Sequence, residues 1–140
     1  MSREIKFRAY VKDIDQLDEN EIPHKGNFIY GNLVRGDEYD FITSSMHMFS
    51  DGYTNFTWQW MIKKGSAEQF TGLKDIDDQE AYEGDIVSLD PDEPPHQIIF
   101  TEGKFEIVGD GIVYDLGEEF MDCPIIGNIH EDKDLLEEDK

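Results

Sequence analysis

A run of carboxylates at residues 75–80 is the segment whose composition comes closest to a metal site. It reads Asp-Ile-Asp-Asp-Gln-Glu and resembles the start of a calcium-binding loop. With Asp75 in the first position, the sixth position holds Glu80, where the loop needs a glycine for its sharp turn. The twelfth position holds Ile86, where the loop needs a bidentate glutamate. We therefore predict a solvated turn, in which aspartates accept hydrogen bonds from nearby backbone amides.

The other reactive side chains form no recognisable catalytic pattern. The histidines are far apart in the chain and lack a paired metal-ligand spacing; they are His24, His47, His96 and His130. The sequence contains no Gly-x-Ser-x-Gly elbow and no phosphate-binding loop ending in Gly-Lys-Ser or Gly-Lys-Thr. We therefore predict no catalytic residue, no metal and no cofactor, and we do not favour an enzyme.

The cysteine content and hydropathy indicate a cytoplasmic protein. Cys123 is the only cysteine, so no disulfide can form within one chain. No apolar run approaches the ~20 residues that a membrane-spanning helix needs. The N-terminal residues lack the apolar stretch of a signal peptide. These features predict a soluble chain that neither crosses nor enters a membrane.

The negative charge is concentrated in the second half of the chain. The formal net charge is −21; residues 1–74 contribute −2, and residues 75–140 contribute −19. Such a field repels nucleic-acid phosphates and anionic lipid surfaces. We therefore predict no direct binding of nucleic acid or membrane. An unknown protein partner, either basic or itself nucleic-acid-binding, and cations remain plausible, and the alternative is a charge excess that only keeps the chain soluble.

Apolar and polar residues alternate in many short segments, which is typical of strands. Residues 12–27 are polar and predict a mobile connection, whereas residues 44–57 carry no clear pattern. The predicted strands are residues 4–11, 27–34, 39–43, 57–62, 69–73, 84–89, 96–101, 104–108, 112–114 and 125–129.

This pattern predicts a mostly β fold with minor α content. We expect an N-terminal β portion over residues 1–65 and a compact acidic unit over 66–131. The latter is predicted to be a small, bent barrel of the SH3-like kind, with a β-sandwich as the alternative. Residues 132–140 form an acidic tail, with Asp132 capping a helical turn at its start. One continuous domain is the alternative to this division.

Two tryptophans and the acidic run together make up the candidate contact surface. Trp58 and Trp60 are two residues apart, so on a strand they share a face. Packing into the core is the favoured role of such a pair, and an exposed aromatic contact is the alternative. The candidate surface consists of Trp58, Trp60, Asp75, Asp77, Asp78, Glu80 and Glu83.

Four blocks of the sequence together resemble the YopX family of phage and prophage proteins. They are residues 3–10, residues 69–75 with 82–87, residues 98–107, and residues 125–131 with Leu135 and Leu136. The most specific block is Thr-Gly-Leu-Lys-Asp followed by Tyr-Glu-Gly-Asp-Ile-Val. The resemblance implies a phage-related origin, the cytoplasm of a bacterial host and a mostly β fold. It implies no reaction and transfers no catalytic or binding residue.

Three functions remain open from the sequence. The favoured hypothesis is an accessory protein that acts by protein–protein contact, with a homo-oligomer as one possible assembly. The alternative is a DNA mimic, whose carboxylates over residues 75–122 form a stripe with phosphate-like spacing and occupy a host protein's nucleic-acid site. The second alternative is a divalent-metal enzyme with a carboxylate cluster in a cleft.

Overall fold

The computed structural model describes residues 5–18, 21–117 and 122–136, and antiparallel strands dominate it. The mostly β prediction is confirmed. The predicted strand residue 4 and the tail residues 137–140 lie outside the described part. The strands are β1 Phe7–Tyr10, β2 His24–Lys25, β3 Phe28–Arg35, β4 Tyr39–Thr43, β5 Met46–Met48, β6 Thr54–Phe56, β7 Gln59–Lys63, β8 Glu68–Lys74, β9 Glu80–Tyr82, β10 Asp85–Val87, β11 His96–Thr101, β12 Lys104–Gly109, β13 Ile112–Asp115 and β14 Ile125–Asn128.

The chain divides into two compact units, Met1–Gln69 and Phe70–Lys140. The division falls inside β8, so the first two residues of this strand belong to the first unit and the rest to the second. Each unit has its own cluster of buried apolar side chains. The described helices are short 3-10 turns at Ile14–Gln16 and Lys133–Leu136, and none has the length and apolarity needed to cross a membrane.

The first unit is a sheet in which the strands follow the order β7, β4, β3, β1. β1 also pairs with the start of β8, and β2 pairs with the start of β3. The alternation in β1 places Ala9 in the core, with Phe7 and Val11 packed beside it. The buried core residues are Ala9, Ile14, Ile29, Ile42 and Ile62.

Residues 12–27 contribute to this core, in contrast to the mobile connection that the sequence predicts. Ile14 is buried in the core from a 3-10 turn. The backbone N–H of Val11 donates to the carbonyl of Asn27 at 2.8 Å, and the Asn27 side chain donates back to the carbonyl of Val11 at 3.0 Å. The prediction fails for the described residues of this segment, because Ile14, Leu17 and Ile22 pack at the core and Asn27 is hydrogen-bonded to Val11.

An ion pair lies buried on the other face of β1. Nε of Arg8 donates to Oε1 of Glu68 at 2.8 Å, and both side chains are almost fully buried. The Arg8 guanidinium also lies 4.1 Å from the centre of the Phe28 ring. Breaking a buried pair of this kind is unfavourable, because a charge that is left alone is buried without water around it.

A second buried acid holds the β4–β7 hairpin to the turn that follows it. The Asp40 carboxylate accepts hydrogen bonds from the Gly65 backbone N–H at 2.8 Å and from Nζ of Lys64 at 3.1 Å. The hydrogen bond from Gly65 is the largest cause that lowers the pKa of Asp40, and Lys64 adds to it against the opposing effect of burial.

The second unit contains a five-stranded antiparallel sheet in the order β13, β12, β11, β10, β14. Its core is built from Ala81, Val87, Ile98 and Ile107. β8 and β9 pair antiparallel with each other and are not part of this five-stranded sheet. Because β13 and β14 are opposite edges of the sheet and do not pair, the predicted barrel is not closed.

The first prediction concerns the buried ion pair. Replacing Arg8→Met removes one cation that is paired with the buried Glu68 carboxylate, and we expect a loss of about 3 to 5 kcal/mol in unfolding free energy. The double variant Arg8→Met/Glu68→Leu removes both charges and should lose less than the single variant. Urea denaturation measures both values. A double variant less stable than Arg8→Met would contradict the assignment.

The second prediction concerns acid stability. Because the folded pKa of Asp40 is lowered, its contribution to stability is present at neutral pH and is lost as the pH falls below about 4. Asp40→Asn should therefore be less stable than the parent at pH 7, and the difference should shrink in acid. The control is Asp37→Asn, at an exposed position in the preceding turn. Urea denaturation at several pH values checks this, and a pH-independent difference would refute it.

Candidate contact surfaces

The Asp75 carboxylate is buried and holds a turn together. Its Oδ1 accepts hydrogen bonds from the backbone N–H groups of Asp77 at 2.9 Å and Gln79 at 2.8 Å. Its Oδ2 accepts one from the backbone N–H of Ile125 at 2.8 Å. Asp75 therefore closes its own turn and fixes that turn to the start of β14, which is a structural role.

The other acids of this run are more accessible. Asp77 and Asp78 are exposed, whereas Glu80 and Glu83 are half-buried. Asp78 has a φ of 66°, in the left-handed region that aspartate tolerates better than most residues. The turn thus accepts backbone hydrogen bonds as the sequence predicts, but its first carboxylate is not solvated.

A second turn, between β9 and β10, uses a carboxylate in the same way. Oδ2 of the buried Asp85 accepts the backbone N–H of Tyr82 at 2.8 Å. Gly84 lies between them with a φ of 91°, which glycine adopts readily. Its N–H donates to the Ile98 carbonyl at 2.8 Å, and its carbonyl accepts the Ile129 N–H at 2.9 Å. A tight turn therefore leads into the core strand β10.

The Thr-Gly-Leu segment of β8 forms a bulge. The pairing with β9 shifts register between Phe70 and Lys74, and Gly72 has a φ of 89° in that interval. The hydroxyl of Thr71 donates to the Ala81 carbonyl at 2.8 Å and accepts the Leu73 N–H at 3.1 Å. Gly72 thus permits the bulge, since glycine adopts this left-handed φ readily.

The Gly-Asn segment of β14 is also used for structure. Oδ1 of Asn128 accepts the backbone N–H groups of His130 at 2.9 Å and Glu131 at 3.0 Å. Oδ2 of Asp132 accepts the Asn128 N–H at 3.1 Å. A Cβ at Gly127 would lie 2.6 Å from that same carboxylate oxygen. The Asp132 side chain therefore bonds back to β14, while its carbonyl accepts from Leu135 at 2.9 Å.

The remaining titratable groups supply no recognisable reactive centre. Within the described ranges, no group of three histidine, cysteine, aspartate or glutamate residues is placed to hold a metal ion. Cys123 is half-buried, and burial followed by the nearby Asp122 charge raises the pKa of its thiol. The thiol therefore stays protonated at neutral pH.

The two tryptophans pack against the core of the first unit. Both are half-buried and contact the cluster that contains Ile42 and Ile62. Trp60 lies opposite Ile42 in the β4–β7 ladder. Trp60 also lines a cavity of about 390 Å³ whose other lining residues are Tyr10, Val11, Lys12, Asp13, Gln16, Met61, Ile62, Lys63 and Ser66. The pair thus has the core-packing role, and it belongs to a different unit from the acidic run.

Residues 44–58 form a β-hairpin that the sequence did not indicate, and we call it the arm. β5 and β6 pair with each other in a separate two-stranded sheet. The arm starts where β4 ends: the Ser44 N–H donates to the Trp58 carbonyl at 3.0 Å, and the Ser44 hydroxyl oxygen accepts the Thr57 N–H at 2.8 Å. The tip of the arm is a turn between β5 and β6, in which the backbone N–H of Phe49 donates to the Tyr53 carbonyl at 2.8 Å.

Large apolar side chains of the arm are exposed. Met46 is 57% exposed, Met48 70%, Phe49 42% and Tyr53 74%. Residues 44–62 contain one formal charge, Asp51, in a chain that is 32% charged. The low charge of residues 44–62 was the sequence signal that could have marked the arm as a surface.

The second unit has an acidic surface. Among the described residues of 75–122, its exposed acids are Asp77, Asp78, Asp90, Asp92, Glu93, Glu102, Asp110, Asp115 and Asp122. Among the few cations there, Lys104 lies 3.0 Å from Asp115 and 3.4 Å from Glu106. The hydrogen bond to Asp115 is the main cause that raises the pKa of Lys104, so this cation is already paired with acids of its own unit.

The third prediction separates structural from accessible acids. Asp75→Ala leaves three backbone N–H groups without their acceptor, and we expect a loss of at least about 2 kcal/mol in unfolding free energy. The control Asp77→Ala, at an exposed position in the same turn, should change stability by less than about 0.5 kcal/mol. Urea denaturation of both variants measures the difference. Equal effects would show that the Asp75 hydrogen bonds do not hold the turn.

The turns held by Asp75 and Asp85, the bulge at Gly72 and the Gly-Asn segment of β14 lie in the sequence blocks that resemble the YopX family. A family model described as "YopX protein" matches residues 6–137, nearly the whole chain. A search of curated proteins finds no match. Since the matched range includes both units and their turns, the chain belongs to the YopX family.

Proposed function

We propose that this chain is a phage-type accessory protein that acts in the bacterial cytoplasm by binding another protein, and that the arm is its contact surface. The observation that carries the proposal is the exposure of Met46, Met48, Phe49 and Tyr53 on one hairpin. Exposed apolar groups that lie together on a protein surface are typical of interaction sites.

The construction of the arm supports this role. An isolated two-stranded hairpin is at best marginally stable in water, and β5 and β6 pair with each other alone within the described residues. Methionine and tyrosine are enriched at protein interfaces, where their flexible or broad side chains fill a partner's surface. Contact with a partner would remove these side chains from water and stabilise the hairpin at the same time.

The best-defined carboxylates support a binding protein over an enzyme. Asp75 and Asp85 belong to the most specific sequence block, and both accept backbone hydrogen bonds inside turns. A general acid or base needs a carboxylate directed at a substrate. These two carboxylates are instead engaged in maintaining the fold.

A DNA mimic is the second candidate, favoured by the exposed acids of the second unit. Asp115 lies on β13 and the other exposed acids lie between strands, where turns anchored to a sheet can hold charges at fixed spacing. Such a surface would attract the basic side chains with which a host protein contacts phosphates. This function would use the second unit, whereas apolar contact uses the arm of the first.

The fourth prediction tests which surface binds. Tagged protein is used to capture partners from host lysate, and retained proteins are eluted with increasing salt. We expect a partner that stays bound at high salt, because apolar contact is not screened. Replacing both Met48→Ser and Tyr53→Ser should release it. The control is Val113→Ser, which removes an exposed apolar side chain from the second unit. Val113 is 57% exposed, the same fraction as Met46 of the arm.

The same experiment identifies the alternative. A partner of a DNA mimic would elute as salt rises and would remain bound by the arm variant. If no retained protein depends on Met48 and Tyr53, the arm does not bind a host protein and the proposal of a host partner fails.

A further inference from the structure

We infer that the arm binds a second copy of this chain, so that two arms associate about a twofold axis. This inference rests on the proposed function, because it names the partner of the same surface. Three properties of the arm carry it: its low charge, its open strand edges and the apolar character of both its faces.

Charge restricts where two copies can meet. Each copy has a formal net charge of −21, of which residues 75–140 carry −19. Two such chains repel each other, and a contact made by the acidic residues themselves would add to that repulsion. The arm lies in the half whose net charge is −2, and residues 44–62 carry Asp51 as their one formal charge. A basic partner would be drawn to the acidic unit, whereas the arm of a second copy, which carries Asp51 as its one formal charge, meets little repulsion from this arm.

The strands of the arm have open edges without the usual protection. Within the described residues, β5 and β6 pair with each other and with no further strand. Natural edge strands are commonly guarded by lysine, proline or other charged side chains that prevent pairing with another chain. Residues 54–62 contain no charged residue and no proline. Antiparallel pairing of this edge with its own copy is self-complementary, as a twofold interface requires.

Both faces of the arm offer apolar contact. On one face, Met46 and Met48 lie two residues apart on β5, and Phe56 lies opposite Met46. On the other face, the His47 and Phe49 rings are 4.8 Å apart in an edge-to-face arrangement. A second arm can therefore bury apolar side chains on whichever face it meets.

The exposed edge of the second unit does not share these properties. β13 exposes Ile112 and Val113, at 46% and 57%. However, Asp110 precedes this strand and Asp115 ends it, and both are exposed. Two copies meeting there would place carboxylates against carboxylates. Val113 is therefore the matched control for an arm residue of similar exposure.

The fifth prediction is tested by measuring the mass of the full chain in solution. Sedimentation velocity from about 1 to about 100 μM should show a dimer, and the dimer should become tighter at high salt, because salt screens the repulsion between copies. Met48→Glu and Tyr53→Glu should each give monomers. Val113→Glu should leave the dimer unchanged. Circular dichroism confirms that each variant remains folded.

A cross-linking experiment provides an independent measurement that needs no disruptive change. In a Cys123→Ser background, Asn55→Cys places a thiol at the centre of β6, where a twofold axis brings identical residues together. Mild oxidation should give a covalent dimer with Asn55→Cys and not with the control Val113→Cys. Covalent dimer from both variants, or from Val113→Cys alone, would overturn the inference.

The outcomes distinguish the inference from the proposed function. A monomer at every concentration and salt overturns the inference, and so does a dimer that only Val113→Glu dissociates. If the wild type is monomeric while a lysate protein still depends on Met48 and Tyr53, the arm binds a different partner and the proposed function stands. If the arm dimerises and no lysate protein depends on it, self-association is its one supported contact.

Discussion

Buried carboxylates that accept backbone amide hydrogen bonds are the constraint around which both units are organised. In the first unit, Asp40 accepts the Gly65 N–H and ties a hairpin to the turn that follows it. In the second unit, Asp85 closes the turn between β9 and β10, and Asp75 connects its own turn to β14. An ionised acceptor strengthens such bonds, and a buried amide without an acceptor is costly. The turns that set the strand order therefore depend on these few acids.

The acids thus fall into two groups with different consequences. The buried ones hold turns, while the exposed ones in the second unit create the surrounding field. That field determines which molecules can approach, because it repels phosphates and other copies of the chain. The arm differs from that surface, since it exposes apolar side chains and carries Asp51 as its one formal charge. The distribution of acidic residues between buried and exposed positions therefore affects both the fold and the charge of the surface.

Local patterns predicted much of the strand content, because alternation reports directly on which face is buried. β3, β4, β11 and β12 lie close to their predicted positions. The arm was missed because both of its faces are exposed, so no alternation between buried and exposed positions marks β5 and β6. Barrel closure was predicted from the density of short strands, but it depends on whether β13 meets β14, which no local pattern encodes.

The sequence by itself determined the strand-rich class, the asymmetry of charge and the glycines that permit the bulge at Gly72 and the turn at Gly84. Each depends on composition or on neighbours within a few residues. Only the tertiary structure decided that Arg8 meets Glu68 and that Asp75 reaches Ile125. Residues so far apart in the chain are brought together by packing, and a carboxylate's environment, solvated or buried, is set by those distant partners. The same acidic residue can therefore belong to a surface or to the framework, and its position in the fold decides which.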